Sequence, residues 1–169
     1  APPVGYAPDV TRPDDYRCLP LDLAFPEDAF ITATSVAPDQ KALVHHVILY
    51  AVPESEVATV EALDAAEEGP GYTCFGGSGT QLSSTLGGWT PGEAEPVIND
   101  DAAFRVPAGS KLVMQMHYNV VGLEGAAPPD QSELEIWLVP EGQRPSTLLS
   151  LTPVADTGIR IAAGDEEST

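Results

Sequence analysis

Apolar and polar residues alternate in short runs along most of this chain, and such runs, separated by turn residues, predict strands. Residues 18–25 set Leu19, Leu21, Leu23 and Phe25 against Pro20, Asp22 and Ala24, the pattern of a half-buried strand. Residues 29–36 repeat it, with Phe30, Thr32 and Thr34 against Ile31 and Ala33. After turn chemistry at Pro38, Asp39 and Gln40, residues 42–52 form a longer and almost continuously apolar strand. Residues 104–111 read as a strand end and a turn leading into a further apolar strand that reaches His117. Residues 133–139 alternate again, and short runs at 148–151 and 159–161 supply the last strands. The single helix candidate is 53–69, opened by Pro53, closed by Gly69 and carrying a weak stripe of Val57, Val60 and Leu63. Residues 71–92, rich in Gly, Ser and Thr, read as a flexible connection, and 122–131 as a polar loop. The pattern predicts an all-β fold: an antiparallel, jelly-roll-like β-sandwich with at most one short helix. An extended arm over 1–16 would precede one domain over 17–163, and 164–169 would form an acidic tail.

Composition agrees with that fold and narrows the partners. The 17 prolines and 15 glycines, spread over 169 residues, favour short strands and turns over long helices. A hydrophobic fraction of 43% is enough for a core, and no run approaches the roughly 18 apolar residues of a membrane span. Twenty-six acidic residues against seven Lys and Arg give a formal net charge of −19. Such a field repels nucleic acid and anionic membrane surfaces, so neither is expected as a partner. The acidity itself reads as a solvated surface. The chain begins without Met and carries no apolar leader, so any export signal is expected to have been removed or left out.

Two cysteines, Cys18 and Cys74, allow one pairing, and each sits beside aromatic residues. With no CxxC pair, a thiolate zinc site is not expected. A disulfide closing more than fifty residues would stabilise the fold by roughly 3–4 kcal/mol in the chain-entropy model. It would also imply an oxidising compartment, secreted or periplasmic; the alternative is two buried thiols. Elsewhere Gly76, Gly77, Ser78 and Gly79 lack the Lys-Ser/Thr ending of a phosphate-binding loop, and Thr80 breaks the G-x-S-x-G elbow.

The chemistry concentrates on three histidines, the only ones in the chain, and all lie in strand-like apolar segments. His45 and His46 open the run Val47, Ile48, Leu49, Tyr50, and His117 closes Leu112, Val113, Met114, Gln115, Met116. Imidazole is costly there unless its nitrogens meet hydrogen bonds or a metal. Neighbours on a strand point to opposite faces, so His45 and His46 can share an ion only through a bulge, a strong twist or an edge position. Three imidazoles without a thiolate suit copper or zinc, with iron less so. Met114 and Met116 share the face of Leu112 and Tyr118 and read as core, not as ligands. Gln115 lies on the face of His117 and is a candidate to support that ligand.

One family shares these pieces in this order. Tyr16-x-Cys18, the His45-His46 strand, Tyr72-Thr73-Cys74-Phe75, Phe104-Arg105-Val106 and the Leu112 to Asn119 strand together resemble the copper type II, ascorbate-dependent monooxygenases. This is the family of peptidylglycine α-hydroxylating monooxygenase and dopamine β-monooxygenase. The resemblance runs from about Tyr16 through Tyr118 and more loosely to Ile161. It implies a jelly-roll-like domain that holds one copper on His45, His46 and His117, with Cys18 paired to Cys74. It makes 17–163 a single copper-binding β-sandwich domain that supplies electrons, with ascorbate as reductant. It also implies a part in the electron route for Gln115, which the residues themselves leave open. The family's second copper, the one that activates oxygen, needs His-x-His and Met from a further domain, and no histidine follows His117 here.

Three functions therefore remain open from the sequence. The first is a copper domain resembling the electron-supplying half of a hydroxylating enzyme, with a second copper domain beyond it and no complete active site of its own. The second is a stand-alone extracytoplasmic copper carrier or binding module. The third is an acidic structural sandwich whose core histidines are satisfied by hydrogen bonds.

Overall fold

The computed structural model describes residues 5–94, 96, 98, 101–152, 154 and 158. Among the described residues, one helix and two sheets account for the regular structure. The strands are β1 (Asp14–Pro20), β2 (Ala29–Ala37), β3 (Val44–Val52), β4 (Tyr72–Thr73) and β5 (Ser84–Trp89). After them come β6 (Ala102–Val106), β7 (Lys111–Asn119), β8 (Glu133–Leu138) and β9 (Thr147–Leu149). One sheet runs β4-β1-β7-β3-β5 and the other β8-β2-β6-β9. The chain passes repeatedly from one sheet to the other, so the strands that are neighbours in space are far apart in sequence. Their pairings are antiparallel except for β6 with β9. The molecule is an all-β sandwich, as the alternation predicts.

The reason for two layers is visible in the side chains. Leu19, Val47, Leu49, Leu112, Met114, Met116 and Tyr118 from one sheet bury against Ile31, Val36 and Val106 from the other. Met114 and Met116 are core residues, on the face expected of them. A second, smaller cluster lies on the opposite face of the five-stranded sheet. There Val60 of the helix α1 (Glu54–Ala65), with Tyr72 and Cys74, packs on Tyr50, Val52 and Val113. The helix begins after Pro53 as predicted and stops at Ala65, short of Gly69, which turns at φ 84°. One end of the sheet's outer face is thus covered, and the histidines lie beyond the cover.

Strand limits differ from the pattern in two places. β1 starts at Asp14, inside the expected arm, because Asp14, Asp15 and Tyr16 pair with Asn119, Tyr118 and His117 of β7. It ends at Pro20, while Leu21 and Phe25 still pack on the core and the Leu21 amide still donates to the Leu112 carbonyl at 2.9 Å. Residues 71–92 are not a plain connection, since they contain β4 and β5. Glycine and serine hide β5 from any propensity argument, yet Gly88 is there for a steric reason. A Cβ at that position would run into the Val47 carbonyl oxygen of β3. The runs expected at 159–161 and 164–169 lie outside the described residues.

The arm and the disulfide segment are tied to β1 by polar contacts. The Tyr6 hydroxyl donates to Asp15 at 2.7 Å, and the Tyr6 backbone pairs with Asp130. Arg17 is buried, lies under the Tyr6 ring, and donates to the Pro70 carbonyl at 2.8 Å and to the Glu67 carboxylate. Cys18 and Cys74 are bonded, which closes a loop with a sequence separation of 56. No described helix is long and apolar enough to cross a membrane.

Two expectations follow from these contacts. Gly88→Ala should cost about 1–3 kcal/mol, because β5 must move off β3 to admit the methyl. Denaturant melts check this, and a change within about 0.5 kcal/mol, the range of ordinary surface substitutions, counts against it. The second concerns Glu67. Burial pushes its carboxyl pKa up, but hydrogen bonds from the Thr73 backbone, Arg17 and the Thr73 hydroxyl outweigh it and leave the pKa below the ordinary carboxylate value. A depressed folded-state pKa adds stability above the unfolded pKa, and that stability is lost as pH falls through the folded value. Glu67→Gln should therefore cost about 1–2 kcal/mol near neutral pH, discounted for screening because the side chain is a third exposed. The gap to the parent chain should close as pH falls through the folded-state pKa, which lies below the ordinary carboxylate value. A gap that stays constant across melts at both ends refutes it.

Candidate metal centre

His46 and His117 come from neighbouring strands and stand directly opposite each other in the β3–β7 register. Val44 pairs with Tyr118 and His46 with His117, so β3 advances two residues where β7 advances one. The extra residue is His45, and the irregularity is a β-bulge. Without it, Val44 facing the core would put His45 outside and His46 inside. With it, Val44 and Val47 both face the core, while His45 and His46 are both on the outer face. Of the three conditions under which adjacent histidines can share an ion, the bulge is the one found.

The rings converge through one kind of atom. His45 Nδ1 lies 3.1 Å from His46 Nδ1, and His117 Nδ1 lies 3.2 Å from His46 Nδ1. One ligand atom from each residue lies within 4.8 Å of the others. At the ordinary metal–imidazole distance of about 2.0–2.1 Å, nitrogens this far apart subtend an angle of about 100° at a shared ion. That value falls between square and tetrahedral geometry, so the three-histidine group is able to bind a metal ion. Exposure grades across it: His117 is buried, His46 half-buried and His45 exposed. Burial, then the neighbouring His117 and His45 rings, hold the His46 pKa below the ordinary imidazole value. Its neutral form, the one that ligates, is therefore favoured.

Three residues beside His117 were not singled out by the sequence as supports for it. Asp14 Oδ1 lies 2.9 Å from His117 Nε2, and the Asn119 amide donates to the same oxygen at 3.3 Å. Tyr16 stacks on the His117 ring with centroids 4.1 Å apart and planes 9° apart. Phe75 meets Tyr16 edge-on at 4.9 Å and is itself exposed. All follow from β1 lying beside β7, a tertiary fact. Among so many carboxylates nothing in the sequence marks Asp14, except that it sits at period two from Tyr16 and Cys18 once β1 is known to start there.

Gln115 shares the outer face with His117, as expected, and is buried, but its side chain is engaged elsewhere. Its amide donates to the Gly77 carbonyl at 2.7 Å and lies 3.4 Å from Cys74 Sγ. It holds the disulfide loop against β7, and the acceptor for the His117 ring is Asp14. The disulfide of Cys18 and Cys74 is formed, on the same outer face and adjoining the site. On the other side of His46, a groove of about 580 Å³ runs past Ile48 and Gly88 to Glu93. Compared with protein-family models and with curated proteins, the chain matches none.

Metal-free stability should separate the three ligands. His45 is an exposed bulge residue, so His45→Ala should change the unfolding free energy by no more than about 0.5 kcal/mol. His117→Ala removes a buried ring, its stack on Tyr16 and its bond to Asp14, and should cost about 2 kcal/mol or more. Denaturant melts in the presence of a chelator test this. Equal losses at the two positions would contradict the graded burial.

Proposed function

We propose that this chain is a copper-binding domain that passes single electrons, the counterpart of the electron-supplying half of a copper type II, ascorbate-dependent monooxygenase. The observation that carries the reading is the convergence of three Nδ1 atoms, at 3.1 and 3.2 Å, produced by the bulge at His45. A shared ion gives a reason for a bulge that brings the Nδ1 atoms of an adjacent pair together on one face. When bound, copper supplies a one-electron couple between Cu(II) and Cu(I).

The chain's own residues suit that couple. Three neutral imidazoles are acceptable to either oxidation state, and no thiolate is available, since both cysteines are in the disulfide. Buried His117 and half-buried His46 fix two donors from packed strands. His45, on the solvent side, leaves one edge of the centre accessible to a reductant, for which the family resemblance suggests ascorbate. The same resemblance places oxygen activation and substrate in a second copper domain. The disulfide supports an extracytoplasmic setting, secreted or periplasmic.

Copper titration of the purified chain, read by metal analysis and EPR, tests the proposal. One copper per chain, a nitrogen-rich type 2 signal, and loss of that signal on adding ascorbate are expected. The triple variant His45→Ala, His46→Ala, His117→Ala should lose the copper. Full copper affinity in that variant would refute the assignment, and so would exclusive retention of zinc when both metals are offered.

A further inference from the structure

We infer that Asp14 and Tyr16 act together as positioning residues that set the redox preference of the metal through His117. This rests on the copper reading above and goes beyond it, since the family resemblance assigns neither residue a role. Both come from β1, two positions apart and therefore on one face, and both lie across from β7. Asp14 pairs with Asn119 and Tyr16 with His117. Each fixes a different degree of freedom of the same ring.

Asp14 fixes which nitrogen is offered. An ionised carboxylate can only accept, so the contact of 2.9 Å requires the proton on His117 Nε2. In the neutral ring that leaves the Nδ1 lone pair unprotonated, on the side where His46 Nδ1 lies 3.2 Å away. The Asn119 amide, donating to the same oxygen, holds the carboxylate in place. Tyr16 fixes the plane. With ring centroids 4.1 Å apart and planes 9° apart, His117 cannot turn about its Cβ–Cγ bond without leaving the stack. Phe75 braces the outer edge of Tyr16, and it adjoins Cys74, which the disulfide ties to β1 at Cys18.

Among the described residues, none gives exposed His45 either kind of support, so the centre is asymmetric, with one locked ligand and one loose one. A carboxylate on the far nitrogen makes the imidazole a stronger donor to a bound ion. Stronger donation favours Cu(II) over Cu(I). With copper bound and one electron taken from a reductant such as ascorbate, the Nε2 proton would stay on His117, hydrogen-bonded to Asp14.

The test uses the full chain as wild type, Asp14→Asn, Tyr16→Leu and Tyr16→Phe, with Glu135→Gln on the other sheet as a charge control. Cu(II) and Cu(I) affinities are measured by competition, with EPR on the Cu(II) forms. Asp14→Asn should lose about tenfold in Cu(II) affinity relative to Cu(I), a rise in potential of about 59 mV for one electron. Tyr16→Leu should give a heterogeneous EPR spectrum, and Tyr16→Phe, which keeps the stack, should restore a single one. Imidazole 15N NMR of the metal-free wild type should show His117 protonated on Nε2, and Asp14→Asn should weaken that preference. The inference is overturned if Asp14→Asn shifts both affinities equally, or no more than Glu135→Gln does. It is also overturned if the metal-free wild type carries the proton on Nδ1. A wild type that binds no copper removes the proposed function itself and the redox role with it, whereas copper binding with unaltered variants removes only the clamp.

Discussion

The one extra residue in β3 decides what this sheet is able to present. β3 lies between β7 and β5, but β5 pairs with it only from Val47 to Ala51, so at the histidines the register with β7 decides which face each side chain takes. Strict alternation would bury one imidazole of the pair in the sandwich core, His46 if Val44 faces inward and His45 if Val47 does. An unsatisfied ring there costs on the order of a few kcal/mol. The bulge at His45 removes that cost and keeps the apolar register, since Val44 and Val47 both remain in the core. Beyond it the normal alternation resumes, with Leu49 and Ala51 inward and Tyr50 and Val52 outward. The disturbance is confined to the point where both histidines are needed.

What surrounds the bulge explains why the rings sit where they do. The outer face of the same sheet is covered at one end by α1 and the disulfide segment, whose Val60, Tyr72 and Cys74 bury Tyr50 and Val113. The histidines occupy the other end, past the last covering residues, where a side chain meets solvent on one side and the strand on the other. Gln115 marks the boundary: its amide reaches back to Gly77 and Cys74, while His117, two residues on, reaches forward to Asp14. Nearby, buried Asp130 accepts from the Gln40 backbone at 2.9 Å and from the Tyr118 hydroxyl at 3.1 Å. It thereby ties the turn entering β3 to the strand that carries His117.

Much of this was legible in the residues, and the limits of legibility have a physical pattern. The sandwich class, the long central strands, the helix start at Pro53, the inward methionines and the Cys18–Cys74 bond all rest on local periodicity or on counting. The need for a bulge was legible too, because two adjacent histidines and one ion cannot be reconciled with a flat strand. Features set by pairing between distant segments were not. β5 is a strand because β3 lies beside it, not because Leu86, Gly87 and Gly88 favour extension. Asp14 and Tyr16 become neighbours of His117 only when β1 is laid along β7. Gln115 was placed on the correct face, but a face alone does not say which of two neighbours a flexible amide will choose.

The acidity of the chain invites a different reading of its metal chemistry. A formal charge of −19 concentrates cations of every kind near the surface, and carboxylate-rich proteins often hold calcium or magnesium. Those ions demand six or more oxygen donors, or an octahedron of oxygens with several waters. The candidate centre offers three nitrogens, and the carboxylate that contacts it, Asp14, faces the far nitrogen of His117 instead of the point where the Nδ1 atoms meet. A carboxylate in that place hardens no donor set; it strengthens an imidazole. Surface charge and site chemistry thus act at different stages. The field gathers cations without regard to kind, whereas the nitrogen set suits only the ions that bind imidazole well.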